Sequence, residues 1–237
     1  MSPSKTQSVV NNDTGGGDIL WPEKTTRLFQ ILREYSEDEL GKLMNIKGDL
    51  LQETYELYSS WTTDNDKIRA IDLYQGVAFE GINYNELNGV QKEYLNKSLL
   101  ILSAMYGAAS PDTLIWSYRL DMTMKPLEET LYSYWKDEIS QMFQNEDLVV
   151  NLASNEFARM VKVEKGKILN IHFKKGLGKS SKRLSSYEGK KARGEMVGVL
   201  AQNKAYTRED IRNLAPQGFV FDQELSDRDN YYYGLSI

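Results

Sequence analysis

Cysteine is missing from the 237 residues. That excludes disulfide staples and thiolate chemistry, and it suits a reducing compartment. Histidine is nearly missing too, since His172 is the single one. Any Ser-His-Asp mechanism would have to use it, and a zinc site needing several His and Cys ligands is excluded by counting. His172 lies in Ile-Leu-Asn-Ile-His-Phe, which alternates like a strand, so a satisfied strand histidine is expected. Composition leaves an all-carboxylate iron or magnesium site open, but no motif calls for a metal or another cofactor. Long apolar runs are also missing: nothing approaches the roughly 18 residues that cross a bilayer. No basic region followed by an apolar stretch opens the chain, so no signal peptide is expected. These absences together predict a cytoplasmic protein with no membrane partner.

What is present is ordinary for a globular protein: 41% hydrophobic and 27% charged residues. The length suits one large domain or two small ones. No linker, repeat or low-complexity tract marks a split, so one domain over residues 1–237 is expected. The charge, in contrast, is uneven. From Arg159 to Arg193 twelve basic residues face only Glu164 and Glu188, a local balance of +10. With a formal net charge of −5, the rest of the chain carries −15. Such a molecule would attract a polyanion to one face and repel it from the others. A solvated basic hairpin with no partner is the alternative.

Helix and strand signals alternate along the chain. Residues 11–18 are glycine-rich and read as a loop. Pro22 opens a helix of about a dozen residues, and Ser36 with Glu39 forms a capping-box pattern before the next. Further helices are expected over about 47–61, 86–96, 127–145, 187–203 and 208–214. Strands are expected over 69–74, 99–103, 148–152 and 167–174, with strand pairs from 219 onward around an Asp-Arg-Asp-Asn turn. The interleaving predicts an α/β (mixed α+β) fold, with a central mixed sheet flanked by helices.

Several residues are candidates for binding an anion. The helical hairpin around Ile46-Lys47-Gly48 could offer backbone N–H groups and Lys47 to a phosphate. Glu37, Asp38, Glu39 and Asp49 crowd it, and an ordinary packed hairpin is the alternative. Asn151 and Ser154 mark a strand-to-helix junction, where α/β sheets bind ligands. Ser154 reads as the N-cap, and capping alone would also explain it. On the helix from about 187, Lys190, Lys191 and Gly194 share a face with Tyr187. Arg193 instead aligns with Met196, Val197 and Leu200, on the apolar side. A cation there needs a partner: a carboxylate such as Asp121 or Glu156, or a ligand phosphate. Arg119 and Asp121, two apart, would pair on one side of a strand. Lys5 follows a Ser-Pro-Ser turn and could reach a phosphate, though without a glycine-rich loop. Tyr106, Trp116, Tyr118 and Trp135 could stack on bases or fill the core.

The strings Ser-Pro-Ser-Lys-Thr at 2–6, Gly-Val-Ala-Phe-Glu-Gly at 76–81 and Leu-Ser-Ala-Met-Tyr-Gly at 102–107 resemble the YaaA family. So do Tyr-Arg-Leu-Asp-Met at 118–122, Leu-Tyr-Ser-Tyr-Trp at 131–135 and Asn-Leu-Ala-Ser-Asn-Glu-Phe at 151–157. Lys-Lys-Ala-Arg-Gly at 190–194 and Gly-Phe-Val-Phe at 218–221 complete a collinear series. Family members begin with a short apolar strand before the first string. Here Met1 stands where that strand ends, so either the start is truncated or the first strand is lacking. The resemblance implies an α/β fold with a helix-hairpin-helix-like element near the N-terminus. It also implies a link to peroxide stress, lowered free iron, and binding of duplex and distorted DNA, with no firmly attached reaction.

Three functional readings follow. The first is a DNA-binding protein of the peroxide stress response that limits iron-dependent oxidative damage. Its phosphate contacts are Lys5, Lys47, Arg119, Asn151, Ser154, Lys190, Lys191 and Arg193, with low sequence specificity. The second is an enzyme acting on a nucleotide or nucleoside in the same pocket, with Glu80, Asp121 or Glu156 as acid or base. The third is iron sequestration by carboxylates.

Overall fold

The computed structural model describes residues 1–9 and 15–236. Part of the glycine-rich loop expected at 11–18 thus lies outside the described residues. Within it, Gly17 forms a bridge with Thr113.

The first helices follow from their start signals. Helix α1, Pro22–Arg33, has proline at its opening and buries Thr25, Leu28, Phe29 and Leu32. Helix α2, Glu37–Met44, starts from the capping box of Ser36 and Glu39. Gly48, at φ 63°, turns the chain into α3, Asp49–Ser59. These two helices form a hairpin on an exposed turn.

The segment expected as a strand at 69–74 is instead mostly helical. Only β1, Ile68–Arg69, is extended, and α4, Ala70–Leu73, follows at once. Arg69 Nε donates to Asp72 Oδ2 at 2.6 Å, a spacing that suits a helical turn and not alternation. Then come α5, Val77–Ile82, a 3₁₀ turn at Tyr84–Glu86 and α6, Gly89–Ser98, opened by an Asn88–Gln91 capping box. Strands β2, Ile101–Ser103, and β3, Gly107–Ala109, pair antiparallel. Strand β4, Leu114–Ile115, pairs with β1.

The helix expected over 127–145 is shorter and broken. Its pieces are α7, Leu131–Tyr134, and α8, Lys136–Phe143. The break falls at Trp135, whose ring nitrogen donates to Ala104 O at 2.9 Å and is fixed in the core. Next come β5, Val149–Asn151, α9, Asn155–Ala158, and β6, Ile168–Lys175. Strand β7, Lys182–Arg183, folds back onto β6. Helices α10, Ser186–Asn203, and α11, Arg208–Arg212, precede β8, Phe219–Phe221, and β9, Asn230–Leu235.

The main sheet is mixed and five-stranded, in the order β5-β6-β9-β8 with β7 on β6. β5 and β9 both run parallel to β6, while β8 runs antiparallel to β9. Register is marked by an amide ladder: Asn151, Asn170 and Asn230 are cross-strand partners. Asn151 Nδ2 donates to Asn170 Oδ1 at 2.9 Å, and Asn170 Nδ2 donates to Asn230 Oδ1 at 3.4 Å. His172 is the expected satisfied strand residue. Its Nε2 lies 3.2 Å from Asn230 Oδ1, and its ring stacks on Tyr232.

The buried side chains form one connected cluster. Phe29 stacks on Trp61 with ring centroids 4.7 Å apart, and Trp116 meets both edge-on. Tyr106, Trp116, Tyr118 and Trp135 are all buried, so these aromatics fill the core.

Candidate anion-binding cleft

Glycine brings α5 and α10 into backbone contact. A Cβ on Gly194 would lie 1.8 Å from Ala78 O, and one on Gly198 would lie 2.6 Å from Ile82 O. Gly81 meets α10 from the other side, where its Cβ would be 2.9 Å from Lys191 O. Ala78 lies opposite Gly194 and Ile82 opposite Gly198, so the two helices run the same way. The start of α5 therefore lies level with Arg193 and Gly194, about two turns into α10. Gly194 does not share the exposed face of Tyr187, as its spacing alone suggests; it is spent on this contact.

A third wall comes from the start of the chain. Met1 N donates to Leu100 O at 2.7 Å, and Leu102 N donates to Met1 O at 2.9 Å, so Met1 lies beside β2. The following residues run between two neighbours. Gln75 N donates to Thr6 O at 2.9 Å. On the other side, Gln7 Oε1 accepts from Ser117 Oγ at 2.9 Å and Tyr118 N at 3.0 Å. The segment 116–122 then presents alternate residues. Tyr118, Leu120 and Met122 are buried, while Arg119 and Asp121 are half-exposed. It belongs to no strand of any sheet.

These walls enclose a cleft of about 350 Å³. Its charged lining residues are Lys5, Arg119, Asp121, Glu156, Lys190 and Arg193, and Ser154 joins them. Five of the eight residues expected to bind phosphate thus converge, from the N-terminal segment, the 116–122 segment, α9 and α10. The other three lie elsewhere. Lys47 stands on the exposed turn between α2 and α3. Asn151 belongs to the amide ladder, and its Oδ1 accepts from Ala153 N at 3.0 Å. Lys191 points away from the cleft, with Nζ 3.6 Å from Glu195 Oε1.

The carboxylates of the cleft are already engaged. Asp121 does not pair with Arg119; its Oδ2 accepts from Lys5 Nζ at 2.6 Å. Glu156 Oε1 accepts from Met122 N at 3.1 Å. Ser154 sits at the N-cap of α9, but its side chain caps nothing. Its backbone N–H donates instead to Ser2 Oγ at 2.8 Å, and Ser2 Oγ lies 3.2 Å from Ser154 Oγ.

Arg193 is left without a carboxylate among the described residues. Neither sequence candidate, Asp121 or Glu156, reaches it. Burial holds its guanidinium below the ordinary value, and no opposing group among the described residues offsets that. The charged lining carries four cations against two carboxylates, a balance of +2. A site with this charge, hydroxyls and apolar walls such as Phe79, Leu152 and Phe157 suits an anion attached to an apolar body.

Beneath the cleft lies a chain of hydroxyls that sequence reading did not single out. Tyr118 OH sits 2.8 Å from both Tyr74 OH and Ser103 Oγ. Ser103 Oγ also accepts from Met105 N and Tyr106 N, each at 3.1 Å. Burial pushes the Tyr118 hydroxyl up to about 12 and raises Tyr74 well above its ordinary value. The signal was available in Leu-Ser-Ala-Met-Tyr-Gly and Tyr-Arg-Leu-Asp, as polar atoms inside apolar runs.

Comparison with known proteins gives a consistent match. A family model described as peroxide stress protein YaaA matches residues 1–225. A UPF0246 protein of Fusobacterium nucleatum is 34% identical over 218 residues, covering 89% of this chain and 86% of the relative. One from Rickettsia felis is 35% identical over 216 residues, covering 87% and 86%. One from Malacoplasma penetrans is 32% identical over 247 residues, covering 98% and 97%.

Proposed function

The chain belongs to the peroxide stress protein YaaA family, and on that premise we propose that it acts in the peroxide stress response by holding DNA through phosphate contacts. In this role it limits iron-dependent oxidative damage to the DNA it covers. The observation that carries the reading is Arg193, a half-buried guanidinium in a cationic cleft with no carboxylate on it among the described residues. An unpaired cation in such a place costs stability, and an anion would compensate it.

The cleft also adjoins the basic block. Lys175, Lys179, Lys182 and Arg183 are exposed around β6 and β7. Hydrogen bonds from Ser185, with a smaller contribution from Lys175, hold the Glu188 carboxyl below its ordinary range. Strand β7, paired with the end of β6, leads directly into the Ser185 cap of α10, whose second turn carries Lys190 and Arg193. A duplex lying there would meet cations along its backbone, without base-edge contacts to set sequence.

The test is fluorescence anisotropy of the full chain with duplex DNA over a salt series. Binding should weaken with a log–log slope of several units. The Lys190→Ala, Arg193→Ala double variant should lose about tenfold in affinity and about 2 units of slope, at roughly 0.9 per phosphate contact. Unchanged binding by the double variant would remove the cleft from the DNA site.

One observation favours a second reading, an enzyme working on a free nucleotide or nucleoside: the cleft's volume of about 350 Å³ is that of a small-molecule site. Thermal stabilisation by mononucleotides without any duplex binding would select it. The iron reading has no matching arrangement. Among the described residues no group of three or more His, Cys, Asp or Glu side chains is placed to hold a metal ion.

A further inference from the structure

Peroxide oxidises sulfur, and in a chain without cysteine that sulfur belongs to methionine. Eight methionines are present. Met1, Met44, Met105, Met122, Met160 and Met196 are buried. Met124 and Met142 are half-exposed, and they are placed differently. Met142 lies on α8, packed against the core. Met124 directly follows the 116–122 segment that forms one wall of the cleft.

The Met124 sulfur closes a turn. Met124 N donates to Asp121 O at 3.1 Å, and Asp121 N donates back to Met124 Sδ at 3.4 Å. The same turn holds both carboxylates of the cleft. Asp121 Oδ2 accepts from Lys5 Nζ at 2.6 Å. Met122 N, inside the turn, donates to Glu156 Oε1 at 3.1 Å.

Oxidation does not fit this arrangement. The sulfur lone pair takes one oxygen of hydrogen peroxide, the O–O bond breaks, and water leaves. The product is a polar sulfoxide in place of a thioether that packs against the core. Its oxygen accepts at about 2.9 Å from a donor and stands one bond beyond the sulfur. The sulfur cannot then keep its 3.4 Å separation from Asp121 N while that oxygen takes the hydrogen bond.

We propose that Met124 is a site of oxidation by peroxide, and that its sulfoxide opens the Asp121–Met124 turn and releases Lys5 from Asp121 as a further free cation of the cleft. The release of Lys5 does not depend on which anion the cleft takes. A consequent gain in DNA affinity rests on the DNA-binding reading.

The experiment treats the full chain with graded hydrogen peroxide, then briefly with an amine-acylating reagent, and maps both changes by peptide mass spectrometry. Met124 should gain one oxygen ahead of the six buried methionines, and acylation of Lys5 should quicken in step with it. Met124→Leu removes the oxidisable sulfur at the loss of only a weak acceptor, so Lys5 should no longer respond to peroxide. Met124→Gln, which carries an amide oxygen, should quicken Lys5 acylation without peroxide. Met142→Leu should leave the response intact. In anisotropy with duplex DNA the oxidised chain should show a salt slope steeper by about 1 unit, at roughly 0.9 per phosphate contact. Oxidation of Met124 no faster than that of the buried methionines, or a Lys5 response that survives Met124→Leu, would overturn this inference and leave the DNA-binding reading standing. A Lys5 response without DNA binding in either state would support it and overturn that reading instead.

Discussion

Beneath the cleft, the hydroxyls of Tyr74, Tyr118 and Ser103 all find partners at 2.8 Å. In the cleft itself, Arg119, Lys190 and Arg193 make no ion pair among the described residues. Tyr118 takes part in both regions, as it lines the cleft and anchors the hydroxyl chain. The paired layer is organised for stability, because a buried polar group left without a partner costs about 1–3 kcal/mol. The unpaired layer accepts such a cost, and a fold tolerates that where an external anion can complete the site. The same comparison separates the cleft from the α2–α3 hairpin. There Lys47 is exposed on a turn beside Asp49, and nothing draws an anion inward.

The largest disruption expected is at the junction that supports both regions. Gly194→Ala places a methyl 1.8 Å from Ala78 O, a backbone atom that cannot step aside. Forced repacking should cost about 3 kcal/mol, which is about 6–12 °C in Tm for a chain of this size. DNA binding should fall with it, because α5 and α10 would no longer set the cleft. Thermal unfolding and anisotropy on the same sample check both parts.

Alkali should strike the paired layer next. The folded Tyr118 hydroxyl is raised to about 12, above its ordinary 10. The unfolded chain loses that proton first, so stability is fully present below pH 10 and is lost as pH rises toward 12. At about 1.4 kcal/mol per pKa unit, Tyr118 contributes about 2–3 kcal/mol to this fall. Tyr118→Phe should make the decline of Tm between pH 10 and 12 shallower. An identical decline in the variant would show that the hydroxyl chain is not its source.

The smallest effect has the opposite sign. Arg193→Leu removes an uncompensated cation and should raise stability by about 1 kcal/mol while weakening DNA binding. Lower stability in chemical denaturation would mean that Arg193 has a structural partner, and the contrast between the two layers would fail.

Much of the fold was legible because its starts are local. Pro22, the Ser36–Glu39 box and the aligned Arg193, Met196, Val197 and Leu200 each act within one or two turns. The strand expected at 69–74 misled because Ile71 and Leu73 alternate with polar residues, while a helical turn held by Arg69 and Asp72 satisfies the backbone instead. The break at Trp135 depends on Ala104, 31 residues away in the chain. The cations of the cleft were legible as charges, but their partners were not. Lys5 takes Asp121 from 116 residues away, which removes the neighbour that Arg119 was expected to hold. The unpaired state of Arg193 is thus a product of tertiary contacts that no spacing reveals.

The position of β9 has a consequence for synthesis. It is the latest strand in chain order among the described residues, yet it lies between β6 and β8. A ribosome releasing the chain from its N-terminus exposes β6 and its Ile-Leu-Asn-Ile-His-Phe edge well before β9 can cover it. During that interval the nascent protein carries an open, apolar strand edge of the kind that recruits wrong partners. Lys174 and Lys175, at the end of β6, keep that edge charged while it waits.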